Sequence, residues 1–175
     1  MVRISLSLQL NISSDRDKNH GMTDWIDEEN AKRTAQEKEQ ERFWSIFPAV
    51  ANRWWQALVI RIKQDAEKLN QTSRPAIKGE MRINGRELIP TEDTLYVDNL
   101  AFPALYLDIR LDVGARSIHI HQLRRESLEG RGRETDERLT LDLDTINDLA
   151  IKDSEGNSLS LEDASKYILR RFLNR

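Results

Sequence analysis

His119 and His121, separated by Ile120, are the residues of this chain whose types and spacing could do chemistry. In an extended strand successive side chains alternate, so both imidazoles lie on one side. Two histidines with a carboxylate can ligate zinc or iron, and a carboxylate can orient one imidazole as a general base. The carboxylate predicted to join them is Asp108, which the pattern around Gly114 sets opposite His121. Asp108, His119 and His121 are therefore the candidate metal or acid/base set. Such a site needs a pocket that keeps water out. On an open sheet face the same His-x-His is an ordinary cross-strand pair. No Gly-rich phosphate loop, Walker lysine, HExxH helix or nucleophile elbow occurs in the chain. With no cysteine there is no disulfide, thiolate metal site or cysteine nucleophile.

The elements that must position these residues are legible in the stretch from Ala104 to Leu123. Leu105, Leu107, Ile109, Leu111 and Val113 alternate with Tyr106, Asp108, Arg110 and Asp112, the pattern of a strand with one buried face. After Gly114-Ala115 the alternation resumes with Ile118 and Ile120 against Ser117, His119 and His121. Glycine at the first central position suits a two-residue type II′ turn, which needs positive φ there. That turn fixes a register: Leu111 opposite Ile118, Ile109 opposite Ile120, Asp112 opposite Ser117, Arg110 opposite His119 and Asp108 opposite His121. A slip of one residue would turn the aliphatic row to water, so the register is firmly specified.

Three tryptophans supply a second class of candidate. Phe47, Ala51, Trp55, Leu58, Ile62, Ala66 and Leu69 recur at three- and four-residue steps, one broad face of a helix. Trp44, Val50 and Trp54 lie on a neighbouring face, and Trp54 and Trp55 cannot both enter one seam. Trp44, Trp54 and Trp55, with Tyr106 on the wet strand face, are the candidate ligand- or partner-binding residues. Helix-on-sheet folds can hold an apolar ligand between their layers, whereas exposed tryptophan marks a dimer or partner contact.

Taken in order, residues 3–10 read as a short strand and Asn11 to Gly21 as linker, so 1–22 is an extension to a single domain over 23–175. Thr23 or Asp24 looks like a helix N-cap, with Asp27, Glu28 and Glu29 in the first turn. The helix that follows to about Arg42 is almost wholly polar, a solvated arm or a partner surface. Pro48 predicts a break or bend near Phe47, then a helix to about Asn70. Strands follow: Ile77 to Ile83, an Asn84-Gly85 hairpin bringing Arg82 opposite Glu87, a short strand at Leu95 and Val97, the central hairpin, a strand at Leu139 to Leu143, and another at Leu149 to Lys152. Arg124 to Arg138 sets five arginines against five acids and reads as a mobile, solvated loop. Ser160 to Asp163 outlines a capping box for a last helix to Leu173, with Leu161, Ala164, Ile168 and Phe172 facing the core.

This is an α+β layout: two layers, an antiparallel meander sheet covered on one face by a long N-terminal helix and a C-terminal helix. If residues 3–10 join the sheet, the order resembles the TATA-binding-protein-like or helix-grip layouts, a likeness of arrangement that implies no function. The composition, 33% charged and 38% hydrophobic with a net charge of −3, leaves no basic field for nucleic acid. No apolar run approaches the roughly 20 residues needed to span a bilayer, and Val2 to Ile12 lack the parts of a signal peptide. The chain thus reads as a cytoplasmic, non-enzymatic protein-interaction domain without cofactor, binding a protein partner or itself as a homodimer. The alternatives are a carrier with an apolar cavity between helix and sheet, and an enzyme using Asp108, His119 and His121.

Overall fold

The long helix α1 (Asp17–Thr72) begins earlier than its sequence signals suggest and runs without a break through Pro48. Thr23 and Asp24 are interior positions, not the cap. A capping signal is local, while a helix once nucleated extends wherever adding a residue costs little. The expected interruption at Phe47 is also absent. A mid-helix proline costs about 3 kcal/mol, but Phe47 and Ala51 on either side of Pro48 are both fully buried, which holds the two turns together. The computed structural model describes residues 17–72, 81–83, 92–101 and 103–173. The expected strand at residues 3–10 and the Asn84-Gly85 hairpin with its Arg82–Glu87 pairing lie outside them. The chain divides into two compact units, one ending at Arg42 and one running from Phe43.

The first unit is helical as far as its described residues go, and every residue from Asp24 to Arg42 is exposed. Alanine, glutamate, glutamine, lysine and arginine dominate it, all strong helix formers. Its visible support is local: Lys32 with Glu28 at 2.9 Å and Arg33 with Glu37 at 3.9 Å, both one turn apart. Exposed pairs of this kind contribute about 0.3–0.5 kcal/mol each.

The second unit is built on a six-stranded antiparallel sheet in simple sequence order. Its strands are β1 (Arg82–Ile83), β2 (Thr94–Asn99), β3 (Ala104–Asp112), β4 (Ser117–Arg125), β5 (Arg133–Leu143) and β6 (Leu149–Lys152). The β3–β4 register is the expected one in every pair, including Asp108 opposite His121 and Ile109 opposite Ile120. The turn differs. The loop is four residues, Val113 to Arg116, and its left-handed residue is Arg116 (φ 50°), not Gly114. Arg116 N–H donates to the Val113 carbonyl (3.2 Å) and Ala115 N–H to Asp112 Oδ1 (2.8 Å). Two- and four-residue loops centred on Gly114-Ala115 give the same pairing, so the register is correct although the turn type is not. The arginine-rich stretch is corrected too. Arg124 pairs with Arg133 and the ladder runs on to Ser117 opposite Thr140, so the loop shrinks to 126–132. Charge in a strand that lies partly over the edge of the core does not forbid pairing.

One face of the sheet carries Val97, Leu107, Ile109, Ile118, Ile120, Leu139 and Leu141, all buried. Against it lie the predicted stripe of α1 (Phe47, Ala51, Trp55, Leu58, Ile62 and Ala66) and the last helix, α2 (Leu161–Leu173), through Ala164, Ile168, Leu169 and Phe172. The α2 cap is as expected: Asp163 N–H donates to Ser160 Oγ (3.1 Å). Aspartate is too short for the usual return bond to the backbone, and its carboxylate instead accepts the Ser160 hydroxyl (2.6 Å). The Arg61–Glu162 pair (3.4 Å), the Ser165–Asp65 hydrogen bond (2.9 Å) and the groove shared by Leu69 and Leu173 follow one another along both helices, which therefore run parallel.

Candidate functional site

The face of the sheet turned away from α1 and α2 is organised in cross-strand rows. One row reads Tyr96, Asp108, His121 and Asp136, and the next Thr94, Arg110, His119 and Arg138. The three candidate metal ligands thus share a face, as their alternation requires, but their polar atoms turn to different partners. Arg110 Nε donates to Asp108 Oδ1 (2.9 Å) and its terminal nitrogen to Asp108 Oδ2. His119 Nε2 meets Ser117 Oγ at 3.0 Å. His121 Nδ1 meets Asp136 Oδ1 at 2.8 Å, on the strand away from Asp108. Among the described residues no three His, Cys, Asp or Glu side chains form a group that could hold a metal ion.

Asp136 escaped the sequence reading although its parity was available: it lies two residues from Arg138 on the same face of β5. The missing step was the β4–β5 register, which depends on treating 133–137 as strand. Asp108 faces His121 yet does not bind it, because Arg110, two residues along the same face, satisfies both carboxylate oxygens. A carboxylate on Nδ1 would leave His121 Nε2 able to exchange a proton. His121 and Asp136 side chains are, however, 42% and 81% exposed, so water reaches both.

The aromatic candidates separate sharply. Trp55 is core, 2% exposed, with its indole N–H donating to the Glu92 carbonyl (2.9 Å). Trp54 packs at the margin of the same core. Trp44 is 39% exposed and sits edge-on to both Phe43 (5.4 Å between centroids) and Phe47 (5.8 Å). The Arg116 guanidinium lies over Phe43 at 5.4 Å, which ties the β3–β4 loop to this aromatic group. Tyr106 is half-buried on the sheet face turned away from α1 and α2, beside Asp98 and Leu123 in register. Asp98 itself is paired with Arg82 through two hydrogen bonds of 2.7 and 3.1 Å.

Trp25 and Ile26 belong, with Ala31 and Ala35, to the one sparse apolar stripe that the sequence offers on this polar segment, whereas a second feature, a groove, went unmarked in the sequence. Trp25 and Ile26, 64% and 45% exposed, stand on the helical segment of the first unit beside Asp24, Asp27, Glu28 and Glu29. In the second unit a groove of about 440 Å³ opens between α1 and α2. Leu69, Leu169 and Leu173 supply its apolar surface. Arg61, Lys68, Lys166 and Arg170 also line it, and Asp65 is its acidic member. Burial pushes the Asp65 carboxyl up, but the Arg61 guanidinium and the Ser165 hydroxyl outweigh burial and hold it below the usual carboxylate range. Only the three-dimensional pairing of α1 with α2 could reveal the groove.

No family model, no curated protein and no solved structure matches the chain. Function must be reasoned from the surfaces alone. No helix among the described residues is long and apolar enough to cross a membrane.

Proposed function

We propose that this protein is a non-enzymatic interaction domain that works as a homodimer, with the segment from Asp24 to Arg42 and the Trp44 surface as its contacts. The observation that carries this reading is the unbroken exposure of Asp24 to Arg42 in helical conformation, with Trp25 and Ile26 on the surface. A lone helix of this length is marginal in water, and most helical stability in proteins comes from packing an apolar face. A second protein surface over Trp25 and Ile26 supplies that packing, and tryptophan is the side chain most often responsible for binding energy at interfaces.

The carrier reading draws no comparable support. It needs Trp54 or Trp55 beside a cavity, and Trp55 is spent on the core and on Glu92. The enzyme reading needs Asp108, His119 and His121 to converge, and each has a different partner.

Sedimentation equilibrium of the full chain tests the proposal. A dimer whose dissociation constant rises at least about tenfold in Trp25→Ala or Trp44→Ala, the effect of truncating an interface hot spot, is the expected result. A monomer at every concentration would overturn it.

A further inference from the structure

We infer that the groove between α1 and α2 is the socket for the Asp24–Glu29 turn of a second copy of this chain, so that two copies exchange their N-terminal helical segments. The contact presupposes the homodimer proposed above and names its two faces.

The complementarity is chemical on both counts. The turn DWIDEE carries four acids in six residues around Trp25 and Ile26. Residues three and four apart are neighbours on a helix, so Glu28 and Glu29 flank the same face as Trp25. That is an acidic rim around an apolar centre. The groove is its inverse in composition, lined by Leu69, Leu169 and Leu173 together with Arg61, Lys68, Lys166 and Arg170. Leu173 is 42% exposed at the end of α2, a large aliphatic side chain left partly in water by the chain's own packing. Most of the basic groups already have acids nearby: Arg61 bonds Asp65 at 2.8 Å and lies 3.4 Å from Glu162, Lys68 lies 4.0 Å from Asp65, and Lys166 bonds Glu162 at 2.7 Å. Four cations against Asp65 and Glu162 still leave the groove positive. The volume of about 440 Å³ falls within the roughly 300–1,000 Å³ of pockets that bury compact apolar groups.

A contact between two different patches either closes or propagates. Reciprocal exchange closes it, with each copy giving one segment and one groove, so the assembly stops at two. Opposite rims also make association sensitive to salt, because complementary surface charges are screened beyond about 10 Å at 0.1 M.

The decisive experiment mixes two full-length variants and follows them by sedimentation velocity. Trp25→Ala removes the plug and keeps the groove. Leu173→Glu spoils the groove and keeps the plug. Each alone is expected to be monomeric where the parent is dimeric, with association weakened more than about tenfold and unchanged circular dichroism. An equimolar mixture is expected to regain association, because one intact plug then meets one intact groove. Added salt should weaken the parent dimer. If Leu173→Glu lowers the melting temperature, Arg170→Glu on the exposed rim replaces it. A parent dimer that either variant leaves intact overturns the segment–groove contact while the homodimer stands. A mixture that stays monomeric overturns it as well. A parent that is monomeric throughout overturns both the contact and the homodimer.

Discussion

Two five-residue turns, Asp144 to Asp148 and Asp153 to Asn157, close in the same way. In each, the first aspartate's Oδ1 accepts the N–H of the third and fifth residues (Ile146 and Asp148; Glu155 and Asn157), all at 2.8–2.9 Å. Its backbone N–H donates to the fifth carbonyl, and its carbonyl accepts the fourth N–H. The fourth residue is left-handed in both: Asn147 at φ 61° and Gly156 at φ 86°. A Cβ on Gly156 would meet nothing within 4 Å, so any penalty there comes from the backbone alone. Gly156→Ala is therefore expected to cost about 1–2 kcal/mol, read as a lower urea midpoint at unchanged slope. Gly156→Asn should cost less, because asparagine tolerates this conformation and already holds it at position 147. Equal losses in the two variants would show that asparagine's tolerance of the left-handed region gives no advantage at this position.

At the scale of elements, one side chain near the end of α1 fastens the chain beside β1. Asn70 Nδ2–H donates to the Met81 carbonyl (3.0 Å), and its Oδ1 accepts the Met81 N–H (2.9 Å). The amide therefore acts as a short strand edge beside β1, and Met81 is buried. Asn70→Ala leaves a donor and an acceptor of the backbone unpaired, at about 1–3 kcal/mol for a buried group. Hydrogen exchange should show the amides of Met81 and its β1 neighbours opening first, ahead of β3 and β4. Uniform loss of protection across all strands would mean that Asn70 does not anchor this edge.

For the whole molecule, two acids fasten α2 in place. Asp65 joins α1 to α2 through Ser165. Glu137 of β5 accepts from the Tyr167 hydroxyl (2.5 Å) and pairs with Arg171. Burial raises the Glu137 carboxyl, but Tyr167 and Arg171 overcome it and hold it below its ordinary range. Unfolded carboxyls titrate near pH 3.9 for Asp and 4.3 for Glu. With both folded values depressed, the stabilisation is complete above about pH 5 and is lost as pH falls through the unfolded and then the folded values. Denaturant midpoints should therefore drop steeply below about pH 4, and the Asp65→Asn, Glu137→Gln double variant should show a flatter acid limb. Tyr167 is shifted the other way, raised by burial and then by Glu137, so its contribution is present below about pH 10 and lost above. A double variant with the parent's acid limb would place the acid sensitivity elsewhere.

By itself the sequence determined the α+β class, the buried stripe of α1, the β3–β4 register, the apolar face of α2 and the cap at Ser160. Each follows from a period of 2 or 3.6 or from a bond within one turn, and such rules act over a few residues. The true loop around Arg116 was hidden because two loop lengths give one register. The end of α1 at Asp17 was hidden because a cap signal competes with plain propensity. Tertiary structure alone decided which acid holds His121, and that α1 and α2 leave between them a groove lined by leucines and basic side chains. Those outcomes depend on which strand and which helix become neighbours, and no local period encodes the chemistry of a neighbour drawn from a hundred residues away.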